Sequence, residues 1–437
     1  MTAESRALFA RRRDAIHERS FAPASDGNRH VGAEVELLVY DDETNALLPL
    51  IDGARSLVGL LRQHASALAW IEVAGYGAVP KFETHDGAVV SFEPGGQLEI
   101  SSRAYSSGSK LAASLRETVT RLRDVLVPHG VRLDSVGIDP YHDAHEIPQQ
   151  LPVQRYRAMT DYVERIGPYG IRMMRQTAAI QVSVDRGSNP ASRWHLLNDL
   201  APYLTAIFAN SPRYHDEETG HRSYRARCWR MLDVSRTGVF SDDADPATAY
   251  TAFALGAGDM LRTDETGVYR AYGDWPAESQ SDASWENHLT TLFPDVRPRG
   301  HFEVRSCDAI DPAWYVVPIV LISGLAYDAR SAHEGALLAS ESAALLHTAG
   351  KLGLRDESIA RTARDLFQLA LQGAARLGNS YFTSADLETA REYYSRYTDG
   401  ARSPADDSVT VPPALPRTSR ESAPFVRDRR GSAESSP

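Results

Sequence analysis

The 437-residue chain is long enough for one large or two ordinary domains, and its 42% hydrophobic and 24% charged residues are the balance of a globular protein. No apolar run approaches the roughly 20 residues that a bilayer span needs, and a net charge of −11 argues against a general nucleic-acid or anionic-membrane binder, which depends on a basic surface. The only two cysteines, Cys228 and Cys307, have no CxxC or zinc-type spacing, so neither a disulfide framework nor a zinc site is expected.

In chain order, residues 2–20 have helical composition, with Leu8, Phe9 and Ile16 spaced for one face and Pro23 following. Residues 1–29 are therefore expected to form an N-terminal helical appendage. They are charged and lack the apolar centre of a secretory signal, which makes a cytoplasmic chain the expectation. Residues 30–40, HVGAEVELLVY, read as a strand that carries two acids, Glu34 and Glu36, on one face. A helix is predicted over 53–68, with strands over 70–73 and 89–102. Inside the second strand segment, Pro94-Gly95-Gly96 reads as a turn. It puts Glu93 at its mouth and Glu99 on the strand that leaves it, with Gln97, Glu99 and Ser101 on one face and Leu98 and Ile100 aimed into a core. Residues 110–127 are an amphipathic helix with a stripe of Leu111, Leu115, Val119, Leu122 and Leu126.

A strand is predicted over 131–138, a polar loop from Asp139, and a helix over 156–166 that stops at the turn Gly167-Pro168. Residues 177–185, TAAIQVSVD, alternate again and point Gln181 away from Ile180 and Val182. After a helix over 194–208, five arginines fall between 222 and 236, either a solvated basic helix face or an anion site, since guanidinium suits paired-donor recognition of carboxylates and phosphates. A helix over 285–292 leads to a strand over 301–308, where Glu303 and Arg305 share a face and Cys307, two residues on, would share it too. From 312 to about 395 the signal is helical, and from 401 the composition turns to Ser, Pro, Asp and Arg. The expected organisation is a single domain over 30–400, sheet-rich over 30–310 and helical over 311–400, with a disordered tail at 401–437. No internal repeat is present.

Four strands thus carry polar side chains toward one side: Glu34 with Glu36, Glu99, Gln181, and Glu303 with Arg305. Two acids at i and i+2 stand about 7 Å apart by strand rise, too far to share a proton but suited to ligating one or two cations. A set of oxygen ligands favours magnesium or manganese. Burying several carboxylates without counter-charge costs several kcal/mol each, so metals or arginines are expected beside them. No GxxxxGK[ST] loop occurs, and Gly95-Gly96 is a turn, not a phosphate cradle.

Together, GAEVE at 32–36, FEPGGQLEIS at 92–101, TAAIQVSVD at 177–185, ANSP at 209–212, TGHRSYRARCW at 219–229, DVSRTG at 233–238 and HLTTLFPDVRPRGHFEVRSCDA at 288–309 resemble the plant-type glutamate–cysteine ligases. The RPRG followed by a Glu-x-Arg strand looks most like the actinobacterial branch that serves ergothioneine synthesis, although the glutathione-pathway ligases share most of these blocks. The resemblance implies an α+β fold of the glutamine-synthetase kind, a curved, mainly antiparallel sheet flanked by helices with the active site on its concave face. It implies ATP, L-glutamate and L-cysteine as substrates, γ-glutamylcysteine as product by way of a γ-glutamyl phosphate, and Mg2+, with Mn2+ as substitute. It further implies Glu34, Glu36, Glu93, Glu99 and Glu303 as metal ligands, with Gln181 at a metal position where other branches carry histidine. Arg305 would stabilise the transferring phosphoryl group, Arg236 or Arg225 would hold the glutamate α-carboxylate, and Trp229 and His288 would lie at the substrates. Two alternatives stand beside this: a carboxylate–amine ligase with another amine acceptor, and an inactive binding protein of the same fold.

Overall fold

The computed structural model describes residues 3–407, apart from 28, 54, 241–244 and 341. Nine strands form one sheet: β1 (Val31–Asp41), β2 (Ile71–Tyr76), β3 (Val79–Glu83), β4 (Val89–Phe92), β5 (Leu98–Ser101), β6 (Val131–Asp134), β7 (Ala179–Asp185), β8 (Val296–Pro298) and β9 (His301–Asp308). Their order is β8-β9-β7-β1-β5-β4-β3-β2, with β6 beside the far end of β1. Every pairing in the sheet is antiparallel.

Strand alternation gives the sheet two chemically different faces. Behind it, Val35 and Leu37 of β1, Leu98 and Ile100 of β5, Ile180 and Val182 of β7, and Phe302 and Val304 of β9 join one apolar core. Helices Gly108–Leu126, Pro190–Ile207 and Val316–Tyr327 close that core. The last of these is buried along its whole length, as a helix that is apolar all round must be. The front face carries the polar residues, and helices Gln154–Glu164, Pro168–Gln176 and Tyr224–Met231 stand over it. No single helix among the described residues is long and apolar enough to cross a membrane.

Four expectations change. Residues after Gly167 form a helix, Pro168–Gln176, where only a turn was read; proline at its first position is a start signal, not a stop. The N-terminal segment is no appendage: Phe21 packs 5.4 Å from Trp194 and 5.8 Å from Phe302, and the buried Arg12 donates to the Gln280 carbonyl at 2.7 Å. Of the expected tail, residues 401–407 dock, with the Ala405 amide donating to the Ala209 carbonyl at 2.9 Å and Arg355 donating to Asp406 at 2.6 Å; residues 408–437 lie outside the described residues. Finally, Cys307 does not share the face of Arg305. Val304 pairs with Val182 and Cys307 with Ile180, so Arg305 and Ser306 both stand opposite Gln181. That bulge shifts the alternation by one residue and turns Cys307 into the core. Both cysteines are free and buried, and burial pushes the Cys228 thiol up to about 12.

Candidate active site

The strand register sets the floor of a cleft on the front face. Glu36 stands directly opposite Glu99, and Glu34 pairs on its two sides with Ser101 and Gln181. Like charges directly opposed on one sheet face destabilise it, so this pairing is costly unless a proton or a cation lies between the two. The third strand element is the β4–β5 turn. The Glu93 amide donates to the Gln97 carbonyl at 2.9 Å and the Gly96 amide to the Glu93 carbonyl at 2.9 Å. The turn is clamped from outside: Gln97 donates to the Thr177 carbonyl at 3.0 Å, and Gln150 gives its backbone N–H to Pro94 at 2.7 Å and its side-chain amide to Gly95 at 3.0 Å. A Cβ on Gly95 would collide with the Arg175 carbonyl, and Gly96 has a φ of +93°, so both glycines are required.

Three of these carboxyls hold their protons more tightly than usual. Burial, then Glu99 and Glu303, push Glu34 up to about 8; burial, then Glu99, push Glu36 up to about 7; burial, then Glu99 and Glu36, push Glu93 well above the usual carboxylate range. Glu99 accepts from the hydroxyls of Ser91 at 2.9 Å and Ser101 at 3.0 Å.

Across the sheet the sign reverses. Arg297 on β8 lies opposite Glu303 on β9 and donates to it at 2.7 Å, with Arg305 at 3.5 Å and Arg299 at 3.6 Å from the same carboxylate. Burial alone would raise Glu303, but Arg297, Arg305 and Arg299 outweigh it and hold this carboxyl at about 2. Burial, with Arg297 alongside, brings the Arg305 guanidinium down to about 10. Gln181 on β7 bridges the two halves. Its carbonyl oxygen accepts from Arg305 Nε at 2.8 Å and its amide nitrogen donates to Glu36 at 3.0 Å. With a cation on one side and a carboxylate on the other, the amide orientation is fixed.

The roof supplies Arg155, Tyr156, Met159, Met173, Met174, Arg225 and Trp229, and with the floor it bounds about 770 Å³ of empty space, part of it open to solvent. Arg225 donates to the Arg305 carbonyl at 3.0 Å and is tied to the buried Asp308 at 3.8 Å, which also accepts from the hydroxyls of Ser211 and Ser223. Trp229 has the guanidinium carbons of Arg225 and Arg305 each 4.9 Å from its ring and gives its N–H to the Phe293 carbonyl. Among the described residues no group of three or more His, Cys, Asp or Glu side chains is arranged as a ready cation cage.

The profile of glutamate–cysteine ligase family 2 matches residues 30–411, the whole of this site included. The chain belongs to that family. It is 30% identical over 338 residues to the glutamate–cysteine ligase EgtA of Mycolicibacterium smegmatis, covering 74% of this chain and 77% of that one. It is 29% identical over 324 residues to the chloroplastic glutamate–cysteine ligase A of Oryza sativa subsp. indica, covering 66% and 64%. Among solved structures, the Francisella tularensis glutamate–cysteine ligase gshA in complex with AMP aligns with a TM-score of 0.52 at 14% identity, over 88% of this chain and 84% of that one, a likeness of fold.

In this family member, eight of the residues singled out from the sequence line one cleft: Glu34, Glu36, Glu93, Glu99, Gln181, Arg225, Trp229 and Arg305. Glu303 sits beside them as the counter-ion of three arginines, and the Gln181 oxygen is taken by Arg305, so neither is placed as an unengaged ligand. Arg236 does not reach the cleft. It is fully buried and donates to Asp233 at 2.7 Å, to the Thr291 carbonyl at 2.9 Å and to the Gly258 carbonyl. His288 is buried too, donating from Nε2 to the Ala254 carbonyl at 2.7 Å and stacked on Tyr272, and burial lowers it to about 4. The sequence reading passed over Arg155 and Arg297. For Arg297 a signal existed: the RPRG turn makes β8–β9 a hairpin, so a residue three positions before its glycine falls opposite one three positions after it.

Proposed function

We propose that this chain is an ATP- and magnesium-dependent ligase that joins the γ-carboxyl of glutamate to the amine of cysteine, a cytoplasmic step toward a low-molecular-weight thiol, ergothioneine or glutathione. The observation that carries the reading is the charge division of one sheet face: opposed carboxylates on β1 and β5, arginines on β8 and β9, and the Gln181 amide between them. Carboxylates are poor acylating agents, and activating one with ATP requires two anions to meet. The γ-phosphoryl group passes to the γ-carboxylate, leaving ADP and an acyl phosphate; the cysteine amine then attacks the acyl carbon and phosphate departs.

The donor set fits a hard cation in its chemistry. Glu34, Glu36, Glu93 and Glu99 offer only oxygen, and the raised proton affinities of Glu34, Glu36 and Glu93 mark a site short of positive charge. Among the described residues the cage is incomplete, and further oxygens, such as those of bound ATP, would have to complete it. Glu34, Glu36, Glu93 and Glu99 would hold magnesium, which would supply screening of the phosphate charge. Arg305 faces that group: Gln181 and Glu303 hold its Nε, while its Nη1 is buried without a partner among the described residues, a donor set in advance for charge that develops in transfer. With Arg236 engaged elsewhere, Arg225 holds the glutamate α-carboxylate, its Nε likewise unpartnered.

The test is to incubate purified protein with ATP, magnesium, glutamate and a panel of amines, and to record product masses. γ-Glutamylcysteine should dominate and require both ATP and magnesium; a dominant adduct of another amine, or none, overturns the reading.

A further inference from the structure

Helix Gln154–Glu164 brings to the cleft an arginine that the scheme above leaves without a task. Arg155 lines the cavity from its first turn, and among the described residues no hydrogen bond or ion pair holds it; burial lowers its pKa, and Glu93 acts on it through space. An arginine kept half-buried and unpaired costs stability unless an anion arrives. Met159 follows four residues later on the same helical face and lines the same cavity. Met173, Met174, Trp229 and Phe293 continue its surface as one apolar cluster. Three of the six methionines in the chain therefore meet in a cleft that is otherwise charged. The phosphates and the glutamate carboxylates have no use for such a wall.

We propose that Arg155 and Met159 read the acceptor amino acid, Arg155 taking its α-carboxylate and the Met159–Met173–Met174 wall taking its side chain, so that a thiol is accepted and a hydroxyl rejected. The inference rests on the ligase reading above and assigns the acceptor end of the site. Residues at i and i+4 of a helix present their Cβ atoms about 5–6 Å apart, a spacing that suits the carboxylate and the side-chain tip of a small amino acid. Thioether sulfur and aromatic edges are soft, polarisable partners for a thiol. A hydroxyl against the same wall would lose water and gain no hydrogen bond.

The experiment is steady-state kinetics on the full-length enzyme with cysteine, serine and cysteamine, which keeps the thiol and amine but lacks the carboxylate. Arg155→Gln should lower kcat/KM for cysteine by about 10- to 100-fold, the loss of a charge-assisted hydrogen bond, mainly through the KM for cysteine. The preference for cysteine over cysteamine should collapse with it, and Arg155→Lys should recover part of both. Met159→Ser should narrow the preference for cysteine over serine by about 10-fold or more. An intact cysteine-to-cysteamine preference in Arg155→Gln overturns the proposal, as does a rise in the KM for glutamate or ATP in place of that for cysteine. A fall in melting temperature that Arg155→Lys repairs without repairing acceptor preference assigns Arg155 to the scaffold and likewise overturns it. Wild-type enzyme that forms no γ-glutamylcysteine overturns the ligase reading itself, and that is read before any variant is compared.

Discussion

Glu99→Gln should move stability and activity in opposite directions. Glu99 opposes Glu36 across the sheet, and the two side chains are a like-charge pair unless a cation lies between them. The rise of Glu36 from 4.5 to about 7 corresponds to roughly 3 kcal/mol in all. Burial is the first cause and Glu99 the second, with Arg225 and Arg305 pulling the other way; like charges directly opposed on a sheet face cost up to about 1 kcal/mol. The glutamine keeps the shape and the oxygen that accepts from Ser91 and Ser101. Metal-free Glu99→Gln should therefore melt about 1–2 °C higher than wild type when buffered above pH 8, where Glu34 and Glu36 are ionised. Magnesium with ATP should raise the melting temperature of wild type and leave that of the variant nearly still, and ligation by the variant should be abolished. Scanning fluorimetry with and without EDTA, together with a coupled ADP assay, reads all three. A metal-free variant that melts lower than wild type and still turns over normally would refute the reasoning.

Three further outcomes follow from particular contacts. Gly95→Ala drives a methyl into the Arg175 carbonyl and displaces the turn that spaces Glu93 from Glu99; a loss of about 1–3 kcal/mol by urea midpoint is expected, with turnover falling further than stability accounts for. Arg297→Gln strips Glu303 of its nearest counter-charge and should cost about 2–4 kcal/mol, whereas Arg297→Gln with Glu303→Gln should cost less than the single change; a double-mutant cycle showing no coupling would remove that pair from the account. Asp328, bonded by Arg376 and capping the next helix through Ser331, is held at about 2 against a usual 3.8. A carboxyl lowered in the folded state stabilises fully above 3.8, and the effect is lost as pH falls toward 2, so the stability gap between wild type and Asp328→Asn should close over that window. A gap that is independent of pH would show that the group contributes by packing alone.

Much of this site was readable because strands alternate. Glu34, Glu36, Glu99, Gln181 and Glu303 each sit between apolar neighbours, Arg305 follows two residues after Glu303, and the predicted span of β9, 301–308, is the one observed. What alternation hides is any change of register. The bulge at Arg305–Ser306 leaves no local signature, and it decides that Cys307 lies in the core. Residues delivered by the roof are hidden for a different reason. Arg155 belongs to a short helix whose direction depends on packing against Pro168–Gln176, a helix whose opening Gly-Pro reads equally well as a stop. Arg236 and His288 show the converse: polar residues inside a recognisable block can be there to tie the chain together, here to the carbonyls of Thr291, Gly258 and Ala254.

The central claim is that this cleft makes a γ-glutamyl phosphate and passes it to cysteine. The most direct measurement uses glutamate labelled with heavy oxygen in its γ-carboxyl, together with ATP, magnesium and cysteine, and follows both γ-glutamylcysteine and inorganic phosphate by mass. Transfer of one labelled oxygen to each phosphate released, in step with the cysteine adduct, is the predicted result. Phosphate free of label, or label transfer with no cysteine adduct, would contradict it.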